Sequence, residues 1–172
     1  MQPLEWRVLA VENGRALLIT DKLIDYVEYN ESYANVTWET CTLRKWMNSY
    51  FISKAFSSSQ QAQIATVSNQ NRNNPEYGTK GGNTTQDRVF ALSIDEAKKY
   101  FSSDSDRKAY TTDYAHKKGY DQKDLSDWWW LRSPGNDSNF AADVDGYGYI
   151  YQDGSYVKII YVAVRPAFWL NL

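Results

Sequence analysis

Cysteine and histidine are almost missing from this chain: Cys41 and His116 are the only examples. A single cysteine excludes an internal disulfide and any multi-Cys metal site, and a single histidine excludes a His-rich one. No apolar run approaches the roughly twenty residues that a membrane span needs. No signal peptide is visible at Met1. The chain opens almost directly into a strand, as a domain cut from something longer would. An excess of one charge is missing as well. The net charge is −2 and the pI is near 5.4, so neither nucleic acid nor direct membrane insertion is expected. Glutamate also runs out early. All seven lie at or before Glu96, and the last third uses Asp, Asn, Ser, Tyr and Gly instead.

What is present is aromatic: 14 Tyr and 7 Trp in 172 residues, or 16% with Phe. That length fits one domain, residues 1–172, with a real hydrophobic core. "LEWRVLAVENGRALLITDKLI" predicts a hairpin. Leu4, Trp6, Val8 and Ala10 alternate with Glu5, Arg7 and Leu9, and Asn13-Gly14 suits a tight turn. Leu43, Trp46, Met47, Tyr50 and Phe51 form one apolar helical stripe. Ser58 with Gln61, and Ser93 with Glu96, are spaced as capping boxes of two further helices. "TDYAHKKGY" predicts one more helical turn, ended by Gly119. Residues 66–88, rich in Asn, Gly and Thr, read as a long surface loop. From Trp128 onward the pattern is strands and turns. The class is therefore α+β, with an N-terminal hairpin, two or more short helices and C-terminal antiparallel strands. The first and last strands are expected to pair, placing both termini away from any binding face.

Catalytic patterns are weak. Cys41 reads as a small core filler and His116, beside lysines, as facing water. No nucleophile elbow and no glycine-rich loop after a strand occurs. "DVDG" at 143–146 starts like a calcium loop but lacks the bidentate Glu, so two solvated aspartates are the reading. No metal, no cofactor and no catalysis are expected. The Trp128-Trp129-Trp130 run reads as core, with the outer two on one side of a strand and Trp129 on the other. Of Arg132 and Arg165, at least one should be a buried cation bonded to carbonyls or a carboxylate.

The stretch "FAADVDGYGYIYQDGSY" carries the functional reading. Counted by twos, Asp143, Asp145, Tyr147, Tyr149, Tyr151 and Asp153 share one face of a strand. Ala142, Val144, Gly146, Gly148 and Ile150 share the other. The small and aliphatic row should be buried, leaving a row of tyrosines and aspartates in water.

"WWWLRSPG", "AADV", the spaced Gly148 and Gly154, the closing "VRPAFWLNL" and the upstream "TWETCTLRKWMN" together resemble a bacterial and phage-associated family. Its members have the C-type lectin fold, related in shape to the formylglycine-generating enzymes. The resemblance covers nearly the whole chain. Members often serve as variable proteins of diversity-generating retroelements, in which an error-prone reverse transcriptase miscopies adenines of a C-terminal gene segment. Asparagine codons so altered yield Tyr, Asp, Ser, Gly, Ile, His and others, but not Lys, Glu, Gln, Met or Trp. Residues 136–161 contain 5 Tyr, 4 Asp, 3 Gly and no Glu, Met or Trp. Only Gln152 and Lys158 fall outside the accessible set.

The resemblance thus implies a variable ligand-binding region at 135–162. Its expected contact residues are Asn136, Asp137, Ser138, Asn139, Asp143, Asp145, Tyr147, Tyr149, Tyr151, Asp153, Ser155, Tyr156, Ile159, Ile160 and Tyr161. Ile159 and Ile160 fit either a diversified position or the core. Tyrosine suits such a role because it offers a large amphipathic contact with few rotatable bonds. The implied partner is a protein or cell-surface ligand. The implied setting is a cell surface or phage particle, the isolated domain being monomeric. A fixed-ligand adhesion or glycan-binding module of a larger surface protein is the alternative. The cysteine pair of the formylglycine enzymes and the Glu-Pro-Asn and Trp-Asn-Asp motifs of calcium lectins are absent, so neither chemistry is implied.

Overall fold

The computed structural model describes residues 3–119 and 126–172; Tyr120, the last residue of the predicted "TDYAHKKGY" turn, lies outside them. Strands β1 (Trp6–Glu12) and β2 (Arg15–Thr20) form the expected hairpin, with Asn13 and Gly14 both at positive φ. The last strand, β10 (Ala167–Asn171), pairs with β2 and not with the first strand, giving the order β1-β2-β10. That corrects the expected first-to-last pairing. A central strand must bury both faces, and "RALLIT" in β2 does so at four of its six positions. β1 is half-exposed and carries a bulge between Val8 and Ala10, as suits an edge.

The middle of the chain is helical. α1 (Thr42–Trp46) runs through a π-helical segment, Met47–Phe51, into α2 (Ile52–Ala55). Leu43, Met47 and Phe51, four apart, are buried, while Trp46 is half-buried and Tyr50 is exposed. The wider π turn has more than 3.6 residues per turn, so a spacing of four stays on the inner face and Tyr50 rotates off it. Cys41 caps α1 and is fully buried. α3 (Ser58–Gln63) is capped by Ser57 with Gln60, one residue earlier than the sequence spacing suggests. Three consecutive serines, 57 to 59, leave that register open to sequence reasoning. α4 (Ile94–Tyr100) has the expected Ser93–Glu96 box. α5 (Asp104–Arg107) follows, and α6 (Asp113–Lys118) ends at Gly119.

Residues 66–88 are not simply a surface loop. β4 (Val67–Asn69) and β5 (Thr85–Asp87) form a ladder, and Asn69, Asn71, Asn74, Thr85 and Asp87 are buried. Asp87 accepts hydrogen bonds from Trp38 Nε1 (3.1 Å), Asn69 Nδ2 (2.9 Å), Thr85 Oγ1 (2.6 Å) and Arg44 Nε (2.5 Å). A fully partnered carboxylate of this kind can sit inside at little cost.

The second sheet holds the site. It comprises β3 (Asp25–Tyr26), β6 (Trp129–Pro134), β7 (Phe140–Val144), β8 (Ile150–Tyr156) and β9 (Ala163–Val164), in the order β3-β9-β6-β7-β8. The β6–β9 pair is parallel and the others are antiparallel. The fold is thus mixed, with mostly antiparallel strands and a few short helices. Trp129 and Trp130 are fully buried on opposite faces of β6, and Trp128 is half-exposed.

Both arginines singled out in the sequence are buried. Arg132 binds Glu96 through both terminal nitrogens and donates to the Ala91 carbonyl at 3.0 Å. Arg165 donates to the carbonyls of Thr20, Arg107 and Asp21 at 3.0, 3.0 and 3.2 Å and lies over the rings of Trp129 and Phe101. Burial pulls its guanidinium down to about 10, so it stays charged at neutral pH.

Candidate functional site

The β7–β8 hairpin presents the tyrosines. Its turn is closed by Asp145: the backbone N–H donates to the Tyr149 carbonyl at 2.9 Å, and the carbonyl accepts from Gly148 N at 2.9 Å. Asp145 Oδ1 also accepts from the backbone N–H groups of Tyr147 (2.8 Å) and Tyr149 (2.9 Å). This carboxylate holds the turn. Arg107 Nε donates to the Gly148 carbonyl at 2.8 Å, and Ser126 Oγ donates to the Gly146 carbonyl, tying the tip to the body of the protein. Gly148 sits at φ +88° with its α-carbon against the Asp104 carbonyl, where a side chain would have no room.

On this support Tyr147, Tyr149 and Tyr151 are 72%, 58% and 42% exposed, while Val144 is 0%. Ile150 is half-buried. The alternation read from the sequence therefore holds across the hairpin tip. Tyr151 packs edge-on against Trp128, with ring centroids 5.7 Å apart, so part of the tryptophan run contributes to this surface.

Alternation fails further along, and two expected contact residues are corrected. Asp143 is 0% exposed and Ser155 is buried. The step from Ala141 to Asp143 on β7 is matched by Ser155 to Tyr151 on β8 and by Pro134 to Trp130 on β6. Each neighbour spends two extra residues there, so the three strands do not keep step, and on β8 the consecutive residues Gly154 and Ser155 are both buried, which breaks the alternation. Gly154, at φ +75° with its α-carbon against the Ala141 carbonyl, makes the β8 bulge possible. β7 is enclosed between two strands, and Ala141 through Val144 are all buried. The reading of two solvated aspartates in "DVDG" is therefore wrong for Asp143. Neither of its oxygens has a hydrogen-bond partner among the described residues. Burial pushes its carboxyl up to about 8; the Ser155 hydroxyl, close by but outside hydrogen-bonding geometry, pulls the other way, and the charge of Asp145 adds to the rise.

The remaining expected residues lie toward the other end of β8. Asn136 and Asp137 are exposed, and Ser138 and Asn139 are half-buried. Asn136 N donates to the Asp153 carbonyl (2.7 Å) and Val157 N to the Asn139 carbonyl (3.0 Å). Asp137 Oδ1 accepts from Ser138 N at 2.6 Å, making a local turn. Tyr156 is 46% exposed, with its ring on Phe140 at 4.1 Å and against Tyr33 at 6.1 Å. Ile159 is half-buried, whereas Ile160 and Tyr161 are exposed. The exposed members of the set thus run from the β7–β8 turn along β8 to the segments 136–139 and 159–161.

Sequence reasoning missed Tyr33, Tyr77 and Lys158. Exposed Tyr77 donates its hydroxyl to Asp153 Oδ1 at 2.5 Å, and that hydrogen bond to a carboxylate holds its phenol up at about 12. Lys158 Nζ lies 5.4 Å over the Tyr33 ring. Only the polar setting of Tyr33 and Tyr77 could have marked them, since both are remote from the C-terminal region in sequence. Cys41 offers no nucleophile: burial pushes its thiol up to about 12.

One family model matches residues 13–172, described as a domain of unknown function, DUF6273. No curated protein and no solved structure matches the chain.

Proposed function

The chain belongs to the DUF6273 family, and we propose that it is a non-catalytic recognition domain whose tyrosine-rich β7–β8 hairpin binds a protein or cell-surface ligand. The reading includes a C-type lectin-like arrangement of the two sheets and diversification of 135–162 by a retroelement. One observation carries it: three neighbouring tyrosines stand 72%, 58% and 42% exposed on and beside a turn in which the backbone N–H groups of Asp145, Tyr147, Gly148 and Tyr149 are all hydrogen-bonded. Exposed aromatic rings on a monomer commonly mark an interaction surface. A rigid tip lowers the entropy lost on binding. Asp145, Asp153 and Asp137 keep the surface hydrated when it is empty.

The test replaces Tyr147, Tyr149 and Tyr151 together with Ser. Exposed substitutions away from caps and core cost within about 0.5 kcal/mol each, so the melting temperature should fall little. Capture of the ligand, selected from displayed peptide or cell-surface libraries by the parent domain, should be lost. A large drop in melting temperature would show the row to be core. The retroelement part is tested separately, on the gene. A near-identical template repeat of 135–162 beside a reverse transcriptase gene supports it, and a lone gene favours the fixed-ligand adhesion module.

A further inference from the structure

A concave site lies outside residues 136–161. Between the segment after β4 and the start of α4 there is a cleft of about 440 Å³, within the roughly 300–1,000 Å³ of small-molecule sites. One wall carries Ser68, Gln70, Arg72 and Asn73, and the other carries Ser93 and Asp95. Pro75 supplies its apolar part, Ile94 at the start of α4 being buried in the core, and no aromatic ring lines it.

The floor and the mouth each hold an ion pair. At the floor, Arg132 is 4% exposed, and both its terminal nitrogens are committed to Glu96. Its Nε is buried and has no partner among the described residues. Burial raises the Glu96 carboxyl, but the Arg132 guanidinium and the Ser93 hydrogen bonds outweigh it, so Glu96 stays ionised at neutral pH. At the mouth, Arg72 Nη1 and Asp95 Oδ2 are 3.6 Å apart, with side chains 70% and 55% exposed. An exposed pair of this length contributes little to stability and is free to exchange.

We propose that this cleft binds a small zwitterion of the α-amino acid class, its carboxylate on Arg72 and its ammonium on Asp95. The charges of the lining residues cancel. A simple anion drawn to Arg72 would meet Asp95, and a simple cation drawn to Asp95 would meet Arg72. A ligand bearing both charges close together exchanges the weak protein pair for two ligand–protein pairs. Ser68, Gln70, Asn73 and Ser93 provide further hydrogen-bonding groups, and Pro75 can take a short side chain. A neutral sugar would find no ring to stack on. The proposal is independent of the tyrosine surface.

The experiment measures thermal shift, together with ligand-observed NMR well below the melting temperature, on the 172-residue chain. The standard L-amino acids are added singly at millimolar concentration, with acetate, methylammonium and glucose as controls. At least one amino acid should bind and raise the melting temperature, while the controls do not. R72A and D95A should each weaken binding at least about tenfold, a loss of about 1.4 kcal/mol. Both side chains are exposed, so the unliganded variants should melt like the parent. The triple tyrosine-to-serine variant should bind the amino acid as the parent does. No binding by any amino acid, equal binding of glucose, or undiminished binding in R72A and D95A would overturn the proposal.

Discussion

A carboxyl group enclosed in a sheet with no hydrogen-bond partner stays protonated, because its charged form would forgo hydration without compensation. Asp143 is such a group, with a folded value near 8 against an ordinary 3.8. The unfolded chain releases this proton above about pH 4, whereas the folded chain holds it to about pH 8. Between those values the folded state binds more protons, so stability falls as pH rises, then levels off above about 8. The slope is on the order of 1.4 kcal/mol per pH unit at most. Asp143→Asn removes this dependence. Its stability relative to the parent should rise from pH 4 to pH 8, as denaturant melts at several pH values would show; a constant difference would mean that the carboxyl reaches water. Gly154 is the other critical single residue. Gly154→Ala should lose about 1–3 kcal/mol from its backbone conformation alone, and the Ala141 carbonyl adds a steric cost. A parallel denaturant melt measures it.

Among the elements, the α1–α2 helical run shows how local geometry reassigns an apolar stripe. The π segment retains Leu43, Met47 and Phe51 in the core and turns Tyr50 outward. Trp38, just before it, is fully buried and donates to Asp87, whereas Trp46 is half-buried and stacked on Phe51 at 5.5 Å. Trp38→Ala should therefore cost about 3–5 kcal/mol and Trp46→Ala about half as much; urea denaturation of the two variants would show the order. The 66–88 segment is the element whose composition misleads most. Its asparagines belong to a buried network, and Asn74 Nδ2 donates to the carbonyls of Pro134 and Gln152, both at 2.9 Å. It thereby braces the strands that carry the tyrosines.

At the scale of the whole molecule, the two sheets divide the work. The β1-β2-β10 sheet takes the C-terminal strand into the core, and the five-stranded sheet carries the tyrosine hairpin on its outer strand β8. The polar cleft and the tyrosine surface both abut β6, through Arg132 and Ser133 in one case and through Trp128, just before the strand, in the other. Asn74 connects the two regions.

The features legible in the sequence are those set by chain-local physics. Period-two alternation placed Val144 inside and Tyr147, Tyr149 and Tyr151 outside, the Ser93–Glu96 spacing marked a helix start, and Asn13-Gly14 marked the hairpin turn. The size of the tryptophans directed Trp129 and Trp130 to the core. Tertiary structure decided whatever depends on a neighbour. Enclosure of β7, buried from Ala141 through Val144, took Asp143 inside, and the irregularity of β8 at Gly154 took in Ser155. The apolar character of both faces made β2, not β1, the partner of β10. The Asp87 carboxylate drew in Asn69, and packing brought Tyr77 onto Asp153 across 76 residues of sequence. A side chain's exposure follows from alternation only while its strand is regular and one face stays open, and the sequence of one strand does not say what will cover it.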